Sequence, residues 1–157
     1  MIRAVLDTSS LVPFESRRDL RDLAEAGAFT AIWSPWIIAE LNRVLTWRWI
    51  DHTQGDLSQR LSRSNWDQCS GAAKTMMVLL HTTLEFVDPR PPYPPAWEEL
   101  TDVWDYPIWA AAKVGQASYV VSENTHDYPP PDPVGRHMYE GIEYLSAHTF
   151  IALLIED

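Results

Sequence analysis

The sequence predicts an α/β fold in which a central parallel sheet is flanked by helices on both faces. Two observations lead to this prediction. Five short apolar runs, several of them rich in β-branched residues, are typical of buried strands. Segments with helical spacing lie between them, and this alternation is typical of a parallel sheet covered on both faces. The predicted strands are residues 2–6, 30–33, 84–87, 118–122 and 142–145.

Capping residues predict the helices in the first half of the chain. Ser9 or Ser10 is expected to cap a helical turn after the first strand. Residues 17–26 are good helix formers, and a glycine follows them as a stop signal. Residues 34–46 are predicted as a helix, because they begin with a capping serine and a proline at the first helical position. Residues 47–63 are polar and are expected to hold only a short helix.

The second half alternates in the same way. Residues 64–82 carry a broad apolar face at helical spacing. Residues 105–115 are predicted as a helix whose proline is tolerated in the first turn, and residues 147–155 as a last helix. The proline-rich segments 88–95 and 124–135 are predicted loops, because proline sustains neither regular element.

Length and composition favour a single folded domain over residues 1–157. The chain has 157 residues, of which 46% are hydrophobic and 22% charged. One cysteine excludes an intrachain disulfide, and no run approaches the roughly 20 apolar residues of a membrane span. We therefore expect a cytoplasmic protein that does not contact membranes. The net charge of −10 argues against nucleic-acid binding through bulk electrostatics, but it allows a nuclease whose acids are offset by bound metal.

Three carboxylates lie at the edges of apolar elements. Asp7 ends the first strand, Glu40 lies in the helix after the second strand, and Asp105 directly precedes an apolar helical run. Function in parallel α/β folds collects at the carboxyl ends of strands. Mg²⁺ and Mn²⁺ prefer carboxylate oxygen, so these acids predict a divalent metal site. Asn124 or Asp127, after the fourth strand, is expected to supply a further ligand.

Each acid also has an ordinary structural interpretation. Asp7 and Asp105 could simply cap the helices that follow them, and Glu40 could face water. Asp102, three residues before Asp105, is an alternative candidate for the third acid. Asn124 could stabilise a turn through its side chain.

Other polar residues are weaker candidates. Ser9 could hydrogen-bond a metal-bound water or merely cap a helix. Arg43, one turn after Glu40, could contact a phosphate or pair with that glutamate. His126 and His137 could act as general bases, although loop histidines are usually just exposed.

Four segments taken together resemble the PIN domain family, and in particular the VapC-like toxin ribonucleases. They follow the family's order and span nearly the whole chain. The segments are residues 5–12, 34–41, 105–112 and 119–129.

The resemblance implies roles for particular residues. Asp7, Glu40 and Asp105 match the family's first three acids, which hold the metal and serve catalysis. The family's small hydroxyl residue falls on Thr8 and Ser9. Where many members have a fourth acid this chain has Asn124, with Asp127 three residues later, so the fourth ligand departs from the family pattern.

The implied activity is that of a Mg²⁺- or Mn²⁺-dependent endoribonuclease that cleaves RNA by metal-activated water. Family members commonly form homodimers, and toxin members are silenced by a small antitoxin protein. One alternative is a PIN-like binding module that no longer cuts, which the acidic charge, the missing fourth acid and the eight tryptophans motivate. A metal-dependent phosphatase is a weaker alternative, because position 9 is serine where those enzymes usually carry a second aspartate.

Overall fold

The structure is a computed structural model that describes residues 1–156, and its centre is one six-stranded sheet. The strands are β1 (Arg3–Leu6), β2 (Thr30–Trp33), β3 (Leu84–Phe86), β4 (Tyr119–Val121), β5 (Met138–Tyr139) and β6 (Ile142–Leu145). Their order across the sheet is β3-β2-β1-β4-β6-β5. Every adjacent pair is parallel except β5 and β6. The predicted α/β class with a mainly parallel sheet is confirmed.

Helices connect the strands and cover both faces of the sheet. They are α1 (Thr8–Leu11), α2 (Phe14–Glu25), α3 (Pro35–His52), α4 (Leu57–Arg60), α5 (Arg63–His81), α6 (Tyr106–Val114) and α7 (Ala147–Glu156). Successive side chains of a strand point to opposite faces. On β4, Tyr119 packs against Phe150 of α7, while Val120 borders a recess together with Ile108 of α6. α7 and α6 therefore cover opposite faces.

Two helices in the first half extend beyond their predicted limits. α3 continues six residues past Thr46, because Leu45 and Ile50 stay buried and prolong its apolar stripe towards α5. Trp47 and Arg48 are exposed between these two positions, so the local sequence pattern did not indicate the stripe. α2 begins at Phe14 instead of residue 17, and the Arg17 amide donates to the carbonyl of Pro13 to close its first turn.

The prediction of five strands was wrong by one. The two-residue strand β5 pairs antiparallel with β6 through a tight hairpin, so the predicted fifth strand is the sixth. Glu140 and Gly141 at the turn have φ angles of 46° and 79°. Two successive left-handed residues are typical of the shortest hairpin turns, and a strand this brief leaves no periodicity to detect. The predicted loop 124–135 also contains a single 3-10 turn, Thr125–Asp127.

The tryptophans divide between core and surface. Trp33, Trp97 and Trp109 are buried, whereas Trp104 is 61% exposed. The buried Trp109 donates its indole N–H to the carbonyl of Pro95 at 3.1 Å, which anchors a proline-rich loop to α6. Within residues 1–156, no helix combines the length and the apolarity that crossing a bilayer requires.

Candidate functional site

Asp7 lies where β1 passes into α1, and hydroxyl groups surround it. Its backbone N–H donates to the carbonyl of Val121, which joins the ends of β1 and β4. The helical turn predicted here exists, but the expected cap by Ser9 or Ser10 was wrong, because Asp7 itself holds the N-cap position. The Ser9 hydroxyl instead donates to Asp7 Oδ2 at 2.7 Å, and the Ser10 hydroxyl donates to the Asp7 carbonyl.

Glu40 is presented by the first turns of α3. The predicted cap is confirmed, because Ser34 Oγ accepts a hydrogen bond from the backbone N–H of Ile37. The Thr8 hydroxyl donates to Glu40 Oε2 at 2.7 Å. This bond links α1 to α3, so the second acid is held against the turn that carries the first.

Asp105 occupies the N-cap position of α6, yet its side chain makes no capping hydrogen bond. Its Oδ2 atom is buried and has no hydrogen-bond partner among residues 1–156. A buried carboxylate oxygen without a partner is costly, so it calls for a proton or a cation. The simple capping interpretation of Asp105 therefore does not account for its side chain.

The structure brings the predicted residues to one place. Asp7, Glu40, Asp105 and Asn124 line a single cleft of about 370 Å³. Asp127 borders a small recess shared with Asp7, Asp105 and Asn124, and its Oδ2 accepts a hydrogen bond from the Asn124 side-chain amide. Across residues 1–156, however, no three His, Cys, Asp or Glu side chains converge closely enough to form a ready-made metal cage.

The oxygen atoms that stay free suit a hard cation. The Ser9 hydroxyl donates to Oδ2 of Asp7, and the Thr8 hydroxyl donates to Oε2 of Glu40. The hydrogen bonds found within residues 1–156 end on these two oxygens and not on Asp7 Oδ1 or Glu40 Oε1. The buried Asp105 Oδ2 also has no partner there. Each acid therefore retains an oxygen for a ligand.

The pKa of Glu40 is also consistent with a site that attracts a cation. Burial is the main cause that raises its pKa above the ordinary value. The hydrogen bond from Thr8 opposes this rise, the nearby Asp7 carboxylate adds to it, and Arg43 reduces it.

Asp105 is perturbed further, with its pKa raised to about 8. Burial is again the largest cause, followed by the adjacent carboxyl of Asp127 and by the charges of Asp102 and Asp7. Crowded carboxylates raise one another's pKa, and a bound divalent cation relieves that repulsion.

Ser122 is a site residue that the sequence did not single out. It is buried, and its hydroxyl donates to Asp7 Oδ2 at 2.8 Å. Ser122 Oγ in turn accepts a hydrogen bond from the backbone N–H of Asn124 at 3.1 Å and lies 3.1 Å from Ser9 Oγ. Its position after a predicted strand was a signal, but only the pairing of β4 with β1 places it beside Asp7.

A larger cleft of about 640 Å³ opens beside the smaller one and shares Glu40, Asp105 and Asn124 with it. Its lining residues are Trp36, Ala39, Glu40, Arg43, Asp102, Trp104, Asp105 and Asn124. Arg43 makes no salt bridge within the described chain, so its charge remains available. Asp102, the alternative candidate to Asp105, accepts a hydrogen bond at Oδ1 from the Trp104 backbone N–H at 2.9 Å. Trp36 and Trp104 were not predicted as site residues.

His126 and His137, the two candidate general bases, lie outside the clefts that contain the acids. His126 is exposed in the 3-10 turn. His137 Nδ1 lies 2.8 Å from the carbonyl oxygen of Pro129, and its ring packs edge-on against Tyr128.

Comparison with known families finds a match over most of the chain. A family model described as a PIN domain matches residues 3–126, which include Asp7, Glu40, Asp105 and Asn124. No curated protein and no solved structure matches the chain. The matched region ends inside the 3-10 turn, so β5, β6 and α7 lie beyond it.

Proposed function

Because the chain belongs to the PIN domain family, whose members are in general divalent-metal-dependent nucleases, we propose that it is a metal-dependent endoribonuclease. One observation supports this proposal most strongly. The cleft at the ends of β1 and β4 gathers Asp7, Glu40 and Asp105, and a buried oxygen of Asp105 has no partner within residues 1–156.

The donor set suits Mg²⁺ or Mn²⁺. Asp7, Glu40 and Asp105 would hold the ion through their free oxygens, with Asn124 or Asp127 supplying a further oxygen. When bound, such an ion would supply a water of lowered pKa and would offset negative charge on the phosphodiester.

The chain's own residues position these ligands. Ser9 and Ser122 fix the orientation of the Asp7 carboxylate, and Thr8 fixes that of Glu40. Hydrogen bonds of this kind hold metal ligands in a productive orientation. Arg43 supplies the cation of the larger cleft, where it would bind a phosphate of the substrate.

The test is cleavage of end-labelled RNA by the purified protein with Mn²⁺ or Mg²⁺, beside an EDTA control. Asp7→Asn and Asp105→Asn are expected to abolish cleavage while circular dichroism shows an intact fold. Asp67→Asn, on the exposed face of α5, is the matched control and should cut at the wild-type rate. Full activity of either cleft variant would refute the assignment.

We further propose that the protein acts as the toxin of a toxin–antitoxin pair and forms a homodimer. The resemblance of its four motif segments to the VapC-like group supports this role. Expression should then arrest bacterial growth, and a small protein encoded beside it should restore growth. The Asp105→Asn variant should be harmless when expressed alone. Sedimentation of the purified protein tests the dimer directly.

A second candidate function is a binding module that no longer cuts RNA. Two observations favour it: no three acids converge on one point within residues 1–156, and Asn124 directs its amide to Asp127. This alternative predicts that titration calorimetry detects no Mn²⁺ binding. Binding of Mn²⁺ that is lost in Asp105→Asn would exclude it.

A further inference from the structure

We propose that Trp104, backed by Trp36, forms a stacking platform for an unpaired nucleobase, so that the substrate is single-stranded beside the cleavage position. This inference rests on the proposed nuclease function and defines its substrate class. The feature that suggests it is a pair of parallel indole rings at the edge of the acidic cleft.

The two indoles are stacked. Their ring centroids lie 5.2 Å apart with an interplanar angle of 14°, and both residues line the larger cleft. Trp36 covers one face of Trp104. Because Trp104 nevertheless remains 61% exposed, its other face is open to solvent.

Each indole belongs to a segment that also carries one of the acids. Trp36 and Glu40 are four residues apart on α3, a spacing that puts them on the same side of a helix. Trp104 directly precedes Asp105 at the start of α6. A base on the platform would therefore lie next to the backbone phosphate that reaches the carboxylates.

The platform is held in place before any ligand binds. The Trp104 backbone N–H donates to Asp102 Oδ1 at 2.9 Å, and the Asp105 N–H donates to the Asp102 carbonyl at 3.2 Å. This turn fixes the backbone of Trp104, and the Trp36 ring packs against one face of its indole. A group that is already ordered loses less conformational entropy on binding, which increases affinity.

The surroundings favour a nucleobase as the occupant. Arg43 lies in the same cleft without a salt bridge in residues 1–156 and can meet the phosphate that accompanies a base. Aromatic rings beside a cation are the usual combination for binding single-stranded nucleic acid. Inside a duplex both faces of each base are already stacked on its neighbours, so an interior base has to leave the duplex before it can cover Trp104.

The binding test uses the full chain with Mg²⁺, and every variant carries Asp105→Asn so that RNA stays intact. Fluorescence anisotropy measures the affinity for a labelled single-stranded RNA and for the same RNA annealed to its complement. Trp104→Ala should weaken single-strand binding by about tenfold or more. Trp104→Phe keeps an aromatic face and should retain most of the affinity.

Trp66→Ala is the matched control, because Trp66 is also an exposed, ring-packed tryptophan but lies on α5 outside the cleft. It should bind RNA as the parent does. Equal affinity of the Trp104→Ala variant and its parent, equal loss for duplex and single strand, or no binding of RNA at all would overturn the platform. If Trp104→Ala abolished the binding of a peptide and left the affinity for RNA unchanged, the platform would be overturned too.

Cleavage measured in the otherwise wild-type protein separates the two proposals. Trp104-dependent binding without cleavage leaves the platform standing and refutes the nuclease. If the protein cleaves RNA and Trp104→Ala changes neither the rate nor KM, the nuclease stands and the platform is refuted.

Discussion

The Ser122 hydroxyl donates a 2.8 Å hydrogen bond to Asp7 Oδ2, and the two residues are 115 positions apart in the chain. They meet because β4 lies beside β1 in parallel orientation, which brings both carboxyl ends to one edge of the sheet. The bond occupies Oδ2 of Asp7, which lines the cleft with the other acids. Ser122 is therefore placed to orient the first acid.

We expect Ser122→Ala to weaken Mn²⁺ binding by about 10- to 100-fold, because outer hydrogen bonds hold metal ligands in orientation. Titration calorimetry provides the measurement. Ser118→Ala is the matched control, since Ser118 lies exposed immediately before the same strand and its variant should bind Mn²⁺ normally. Unchanged affinity in Ser122→Ala would remove the serine from the proposed site.

The raised pKa of Asp105 predicts a pH-dependent stability of the metal-free protein. Folding raises this pKa from 3.8 to about 8, so the folded state holds a proton that the unfolded state has already released. The stabilisation that this proton gives the folded state is complete below about pH 4 and is lost as the pH rises through about 8. The free energy of unfolding in EDTA should therefore fall over this range.

Asp105→Asn should flatten that pH dependence, and denaturant unfolding at several pH values measures it. Saturating Mn²⁺ should also flatten the wild-type curve, because a cation stabilises the ionised carboxylate. Parallel curves for the wild type and the variant would show that Asp105 is not the group responsible.

Arg43 is predicted to contact a phosphate of the RNA. Arg43→Gln should weaken binding of single-stranded RNA of every sequence and reduce the slope of log affinity against log salt by about 0.7. Arg63→Gln serves as control, because the Arg63 side chain on α5 is 95% exposed and lies outside the cleft. A salt slope unchanged by Arg43→Gln would argue against the contact.

Phe150 tests whether the part of the chain beyond residue 126 belongs to the same folding unit, as we propose for residues 1–157. Its ring is fully buried and packs against Phe29 and Tyr119. Phe150→Ala should lower the free energy of unfolding by about 3–5 kcal/mol in one cooperative transition. Ile155→Ala, on the same helix but 70% exposed, should change it by less than about 0.5 kcal/mol. Two separate transitions would contradict a single unit.

The elements that the sequence predicted well are those with strong local signals. The strand Thr30–Trp33 was predicted with its limits, and the start of α3 followed from Ser34 and Pro35. Both depend on burial and capping within a few residues. The end of α3 and the short strand β5 were missed, because burial against α5 and a two-residue hairpin leave little trace in local periodicity.

The candidate site divides in the same way. The sequence by itself determined that Asp7, Glu40 and Asp105 stand at the edges of apolar elements, because strand ends and helix starts are local properties. Only the tertiary structure decided that Ser122 contacts Asp7 and that Trp36 stacks on Trp104. Those contacts follow from strand order and helix packing, which join distant residues and therefore leave no pattern that can be read along the chain.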